Sequence, residues 1–291
     1  YMPELPEVEV VKRSLKKKII NSTIKKVKIN DGNLRYKVNK QEISKLVGKK
    51  IKKIRRRSKF LIFEIGKNKL MLTHLGMTGK FFFISQNKKK YKTSFYYSLN
   101  YKKDQKYNRI TFHLNKDKKL IYNDVRKFGF IKLYDKTNLN EKISHLNNLG
   151  PEPLEKNWNL TYFKNYILTR KRSLKDILMD QKFVSGLGNI YVNEILFLSG
   201  IRPSRMVSKL KDFEIKKVIK YSKKILKSSI KMGGSTIKDF SSENGKKGIF
   251  QQHFKVYGRK EKECSNTDCN ASIIRTVISN RSTFFCKSCQ K

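Results

Sequence analysis

The sequence predicts an α+β chain in two parts, β-rich first and helical after, closed by a metal-binding knuckle. Three observations carry this. Short apolar alternations separated by polar turns recur between Ile24 and Leu133, helical spacing of apolar residues takes over beyond about Thr137, and all four cysteines crowd the end of the chain.

Val8, Val11, Leu15 and Ile19 recur at helical spacing and Pro6 suits a first turn, so residues 6–19 should form a helix. Strands are then expected around Ile24-Val27-Ile29, Phe60–Phe63, Leu70–Leu72, Phe81–Phe83, Phe95–Tyr97, Ile110-Phe112-Leu114 and Phe130-Ile131-Leu133, which suits a sandwich or a barrel. The polar run Gln86 to Tyr91 reads as a hairpin tip. Leu149-Gly150-Pro151-Glu152-Pro153 is a stiff break. Helices should follow at 160–169, 173–181, 189–199 and 208–230, the last with Val218, Tyr221 and Ile225 on its apolar face and Gly233-Gly234 at its end. A Ser-, Gly- and Lys-rich stretch from Ser241 to Gly248 should be flexible. These breaks suggest an N-terminal catalytic domain (1–136), a linker (137–153), a helical domain (154–255) and a finger (256–291).

The 68 Lys and Arg against 23 Asp and Glu give a net charge of +45, which attracts polyanions and binds them in a salt-sensitive way. An AT-rich genome would enrich Lys, Asn, Ile, Tyr and Phe by itself, so charge alone leaves ribosomal RNA and anionic membranes open as partners. No apolar run is long enough to span a bilayer, and no basic-then-apolar leader precedes Pro3-Glu4-Leu5-Pro6-Glu7, so an intracellular protein is expected.

Cys264, Cys269, Cys286 and Cys289 are spaced C-x4-C, sixteen residues, then C-x2-C. Thiolates on two such turns suit one tetrahedral metal, structural Zn²⁺ above others; two disulfides would need an oxidising compartment.

Other segments carry chemistry of their own. Removal of Met2 would leave Pro3 as a secondary amine, a plausible nucleophile because an α-amino group titrates near ~8, with Glu4 beside it to move protons. Most proteins that begin Met-Pro carry an inert proline. Gly186-Leu187-Gly188-Asn189 reads as a turn into a helix that Asn189 caps, with amides free for phosphate, or as an ordinary helix connection. Met77, on the turn His74-Leu75-Gly76-Met77-Thr78-Gly79, is either a wedge for a base stack or core filler. Asp124-Val125-Arg126-Lys127-Phe128-Gly129 joins an aromatic ring to two cations, as phosphate contact and stacking plane or as a solvated basic turn.

Taken together and in this order, the segments resemble the formamidopyrimidine-DNA glycosylase family, bifunctional base-excision enzymes of the helix–two-turn–helix superfamily, and the likeness runs from Met-Pro-Glu-Leu-Pro-Glu-Val-Glu to Cys286-Lys287-Ser288-Cys289. Leu5 and the trio Met77, Arg126 and Phe128 separate it from the endonuclease VIII branch. The resemblance implies a two-layer β-sandwich flanked by helices, then a helical helix–two-turn–helix domain carrying a zinc-binding β-hairpin. It implies double-stranded DNA containing oxidised purines as partner, a monomer, and a cytoplasmic setting, bacterial or in an organelle of bacterial descent.

The resemblance also implies roles. Pro3 would form a Schiff base at C1′, Glu4 would act as general acid/base, and Glu7 would support them. Lys59 would serve elimination and touch phosphate, and Arg281 would be catalytic as well, holding the phosphate flanking the lesion and serving the second elimination. Met77, Arg126 and Phe128 would fill the space left by a flipped nucleotide. His74, Tyr107, Lys171 and Asn189 would be further DNA contacts, and Lys238 and Tyr257 would belong with the segment that closes over the base. Three departures stand out. Tyr1 precedes Met2, and in a Tyr-Met-Pro chain Pro3 is an amide; Tyr1 is expected to lie outside the working protein, since the rest of the site is intact, and a genuine extension would instead give a catalytically inactive lesion-binding protein. The first cysteine pair is C-x4-C where the family commonly has C-x2-C, and Tyr107 stands where it often has His.

Overall fold

A computed structural model describes residues 2–84, 90–92, 105–136, 143–235 and 250–291. The strand expected at Phe95–Tyr97, most of the 86–91 tip, the Ser241–Gly248 stretch and Lys238 lie outside the described residues. The described residues divide into two compact units, 2–146 with 233–235 and 147–232 with 250–291.

The first unit opens with α1 (Leu5–Ile19), whose Val8, Val11, Leu15 and Ile19 are all buried, on the spacing the sequence shows. Its strands are β1 (Ile24–Ile29), β2 (Ile51–Arg57), β3 (Phe60–Ile65), β4 (Lys69–His74), β5 (Lys80–Ile84), β6 (Lys90–Lys92), β7 (Asn108–Leu114), β8 (Lys119–Asn123) and β9 (Phe130–Asp135). A short helix, α2 (Lys40–Ser44), is capped by Asn39, whose side chain accepts from Glu42 N. The strands form two antiparallel sheets, ordered β1-β7-β8-β5-β6 and β2-β3-β4-β9. Leu61, Phe63 and Met71 from one sheet and Phe81, Phe112 and Tyr122 from the other share a core with the buried face of α1. This is the expected sandwich. Each such side chain stabilises it by roughly 1.5–3 kcal/mol of removed apolar surface.

Two strands break the alternation of period two, for one physical reason. In β1 and β2 the pairing register slips by one residue, between Ile24 and Lys26 and between Ile51 and Lys53. A bulge lets Ile24 and Val27, or Ile51 and Ile54, face inward although they stand three apart. A third slip, between Asn108 and Ile110 in β7, places Arg109 at the bulge, where it is 6% exposed.

The second unit holds α3 (Leu160–Ile167), α4 (Leu174–Met179), α5 (Asn189–Ser199) and α6 (Asp212–Lys231), then the hairpin β10 (Ile273–Ile278) and β11 (Arg281–Cys286). Helix α5 is buried nearly all round, the mark of a central helix. Trp158 is fully buried among Phe163 and Phe183, and its indole N–H donates to Ser222 Oγ at 2.9 Å. The inward face of α6 is therefore Val218, Ser222 and Ile225, while Tyr221, expected on that face, lies at its half-buried edge. No helix among the described residues is long and apolar enough to cross a membrane.

Candidate nucleic-acid interface and active site

In the first unit the N-terminal segment is held by one carboxylate. Glu7, 3% exposed, accepts Glu4 N–H at 3.0 Å on Oε2, and the N–H and hydroxyl of Ser235, each at 3.0 Å, on Oε1. Gly233 and Gly234, at φ 82° and 83°, turn the chain so that Ser235 arrives there; a Cβ on Gly234 would stand 3.2 Å from Glu7 Oε1. Pro3 and Glu4, just ahead of α1, are both buried.

Lys59 sits in the two-residue turn between β2 and β3, where Ser58 takes φ 53°. Both residues are buried. Arg56 Nη1 donates to Ser58 O at 2.8 Å, while its Nε pairs with Glu9 Oε2 of α1 at 3.1 Å. Burial would raise the Glu9 carboxyl, but hydrogen bonds from Lys12 and Arg13, with the Lys12 and Arg56 charges, bring it below its ordinary value. The Lys59 turn is thereby tied to the helix behind Pro3.

His74 ends β4. Its Nδ1 accepts Gly76 N–H at 3.0 Å, and its ring stacks on Phe130 at 5.7 Å and leans on Phe60 at 5.0 Å. Burial, then the charges of Lys59, Arg35 and His145, push its pKa from 6.5 down to about 4. At neutral pH it is a neutral imidazole whose remaining N–H, on Nε2, is a donor fit for a phosphate oxygen. The unfolded chain binds this proton near 6.5 and the folded chain only near 4, so the contribution is full above 6.5 and lost as pH falls toward 4. The thermal midpoint should therefore fall more steeply between those values for the parent than for His74→Asn; parallel curves would show that His74 does not titrate this way.

Arg126 is exposed and its guanidinium lies 4.7 Å from the centre of the Phe128 ring, itself 46% exposed. Met77 is half-buried on the facing turn. Tyr107 ends a short 3₁₀ turn, with Lys106 Nζ 5.1 Å and the Arg109 guanidinium 5.8 Å from its ring centre.

In the second unit, the β10–β11 turn at Ser279-Asn280 has both residues at positive φ, 49° and 57°, the conformation a tight hairpin needs. Arg281 follows it, exposed. Asn189 does not cap α5: Gly188 occupies the cap position, and Asn189 Nδ2 donates to Ser282 O at 2.9 Å. That carbonyl also takes Lys175 Nζ at 3.1 Å, and Lys175 reaches Thr283 Oγ1 at 2.5 Å. Burial, then the neighbouring Arg281 charge, lowers the Lys175 pKa to about 8. Lys171, a DNA contact that the resemblance implies, is exposed just ahead of α4, and Lys175 was missed. Its signal was weak but present: it lies between Leu174 and Ile177-Leu178 on the buried face of α4. Glu194 was missed as well. Buried on α5, it accepts the N–H groups of Lys255, Val256 and Tyr257 at 2.8–3.0 Å and so ties down the start of the finger. The Tyr257 ring is buried between Phe254 and Phe284.

The four cysteine sulfurs lie within 4.8 Å of one another, with Cys264–Cys289 at 3.8 Å and Cys269–Cys286 at 3.6 Å. Thiolates around a tetrahedral metal at ~2.3 Å stand about 3.8 Å apart, whereas a disulfide needs ~2 Å, so the cluster fits one metal ion and not two bridges. Asn266 Nδ2 adds a donor to Cys289 Sγ at 3.1 Å, from within the lengthened first knuckle. Gln290 is fully buried; it accepts Cys286 N–H at 3.0 Å and donates to Ile201 O at 2.8 Å, which pins the second knuckle to the loop after α5.

Comparison with known proteins gives one consistent likeness. A family model described as "Formamidopyrimidine-DNA glycosylase N-terminal domain" matches residues 2–131, and one described as "Formamidopyrimidine-DNA glycosylase H2TH domain" matches 149–241. Formamidopyrimidine-DNA glycosylases of Rickettsia felis and Rickettsia bellii are each 41% identical, over 99% and 100% of this chain and 98% and 100% of theirs. Lactococcus lactis Fpg, solved in complex with DNA containing an abasic site, superposes with a TM-score of 0.84 at 32% identity over 99% of both chains. The same protein with DNA containing N7-benzyl-Fapy-dG gives 0.84 and 32% over 99% of this chain and 100% of that one.

Proposed function

This chain belongs to the formamidopyrimidine-DNA glycosylase family, and from that premise we propose that it removes oxidised purines, 8-oxoguanine and formamidopyrimidines, from duplex DNA and nicks the emptied strand. The solved relatives bound to abasic and Fapy-dG-type DNA support the substrate class. The observation that carries the reading is the Glu7 clasp, which fixes the segment bearing Pro3 and Glu4 with two carboxylate oxygens and three donors.

With its nitrogen free, Pro3 attacks C1′ of a flipped nucleotide. The new C–N bond forms as the glycosidic bond breaks, and the base leaves with a proton. The C1′–O4′ bond then opens, with O4′ taking a proton carried by Glu4, and the iminium so formed acidifies C2′–H. Loss of the C2′ proton expels the 3′ phosphate, and a second elimination expels the 5′ phosphate. Glu4 is the proton carrier at the sugar, and Lys59, buried on a braced turn, lies in the same unit to serve elimination. Arg281 holds a flanking phosphate from the hairpin tip, and Met77, Arg126 and Phe128 occupy the space the nucleotide leaves. His74, Tyr107, Lys171 and Asn189 complete the DNA contacts, with Tyr257 and Lys238 assigned to the closing segment. Cys264, Cys269, Cys286 and Cys289 would hold one Zn²⁺, which supplies structure to the hairpin and no chemistry to the reaction.

Borohydride reduction on a duplex with 8-oxoguanine opposite cytosine tests the proposal, using a chain shown by mass to begin at Pro3. A covalent adduct mapped to Pro3 is expected. Binding with no adduct would rule out the Schiff-base route.

A further inference from the structure

Met77 and the pair Arg126 and Phe128 stand on two turns far apart in sequence, one between β4 and β5, the other between β8 and β9. A set of polar contacts, anchored on one buried carboxylate, joins these turns. The Asp124 carboxylate is fully buried. Its Oδ1 accepts the Thr78 hydroxyl, and its Oδ2 accepts Gly129 N–H at 2.9 Å. The Thr78 hydroxyl in turn accepts Arg126 N–H at 2.9 Å. One carboxylate therefore closes both ends of the 124–129 segment, and one hydroxyl ties its middle to the Met77 turn.

The backbones are in contact as well. A Cβ on Gly76 would stand 2.4 Å from Gly129 N, and one on Gly129 would stand 1.9 Å from the Tyr122 hydroxyl oxygen. On the outer side, the bulge in β7 re-aims Arg109, whose Nε donates to Asp124 O at 2.8 Å and whose Nη1 meets Asp31 at 2.7 Å. Asp31 also pairs with Lys127 at 2.8 Å. Tyr107 O accepts Asp124 N–H at 3.1 Å, so the turn bearing Tyr107 joins the same assembly.

We propose that Thr78 and Asp124 are positioning residues, a latch that presents Met77, Arg126 and Phe128 as one preorganised wedge; this rests on the functional reading above. Three side chains that must enter a base stack together gain from being ordered beforehand, because ordering them on contact would subtract from binding. Losing the Thr78 hydroxyl leaves Asp124 Oδ1 and Arg126 N–H without that partner, so the wedge loosens while every wedge side chain is still present.

The test compares two substrates. Thr78→Val should excise 8-oxoguanine from duplex DNA roughly 10- to 100-fold more slowly, the scale of one buried polar group left unpaired. Nicking of an abasic site in single-stranded DNA, which leaves no void to fill, should stay within about twofold of the parent, and Thr78→Ser should restore the duplex rate. The latch should also show as coupling: Phe128→Ala, at an exposed position that does not threaten folding, should cost much less in the Thr78→Val background than in the parent. An active parent with an unaffected Thr78→Val, an equal loss on both substrates, or additive effects would each overturn the latch alone. If Thr78→Val does not fold, the coupling of Thr78→Ala with Phe128→Ala decides between the same outcomes. A parent that excises nothing from the duplex would sink the functional reading, and the latch with it.

Discussion

A chain whose Pro3 nitrogen is locked in an amide by a preceding residue should bind lesion-bearing duplex like the free-amine form and leave it uncut. An amide nitrogen has its lone pair delocalised into the carbonyl and cannot attack C1′. Nicking should fall by more than about 10³-fold, the scale on which removal of a nucleophile acts. Binding should persist, because the groups proposed to touch DNA, from His74 and Arg126 to Arg281, are unaltered. Two preparations settle this, one shown by intact mass to begin at Pro3 and one carrying the preceding residues Tyr1 and Met2. If the extended form also cuts and traps with borohydride, the nucleophile lies elsewhere. Lys59, 6% exposed on its braced turn, would then be the first lysine to replace. If only the Pro3 form cuts, the extended form is the lesion-binding protein that sequence reasoning anticipated.

The legible and the hidden parts of this molecule differ in a physical way. Helix α1 was readable because one apolar face repeats along it, and strands β3, β4, β5, β7 and β9 because each carries a short apolar run or alternation, that of β3, β4 and β5 being buried on both faces. Strand β2 was not: Ile51-Lys52-Lys53-Ile54-Arg55-Arg56-Arg57 carries five cations, and its bulge destroys the alternation that would betray it. The cysteine spacing was specific enough to show one cluster, since four thiols on two knuckles have few other uses. Pro3, Glu4, Met77, Arg126, Phe128 and Asn189 each carried a chemical reading beside a bland one until the resemblance weighed them, whereas Lys59 is one of many lysines until it is placed on a turn. The roles of Arg56, Asp124, Lys175 and Glu194 were hidden for a common reason, even where, as with Lys175 on the buried face of α4, the position itself left a weak signal. Each acts by joining segments remote in sequence, as Asp124 does with Thr78 or Lys175 with Ser282, and no local pattern records such a pair. Glu194 looks like any helical carboxylate until three backbone N–H groups from the finger converge on it.

Cys286→Ser should empty the metal site and take the hairpin with it. Cys286 is fully buried, and its sulfur lies 3.6 Å from Cys269, an edge of the tetrahedron. A serine hydroxyl is a poor zinc ligand at neutral pH, and in isolated fingers metal binding supplies about 10–16 kcal/mol of folding free energy. A two-stranded hairpin has little stability of its own, so β10 and β11 should lose their pairing once the knuckles open. The cost spreads beyond the finger. Lys175 and Asn189 would lose the Ser282 carbonyl they share, and Lys175 would be left as a buried cation without its acceptors. Metal analysis should fall from one ion per chain to a small fraction, and affinity for duplex DNA should drop roughly 10- to 100-fold as the cations of the hairpin, Arg275 and Arg281, lose their placement. The first unit, whose core is built from other segments, should keep its thermal transition. Cys286→His, which offers a nitrogen ligand of a kind zinc accepts, should retain the metal and much of the binding. Full metal and full affinity in Cys286→Ser would show that three thiolates suffice, and a mass four hydrogens light in the native protein would return the cysteines to disulfides.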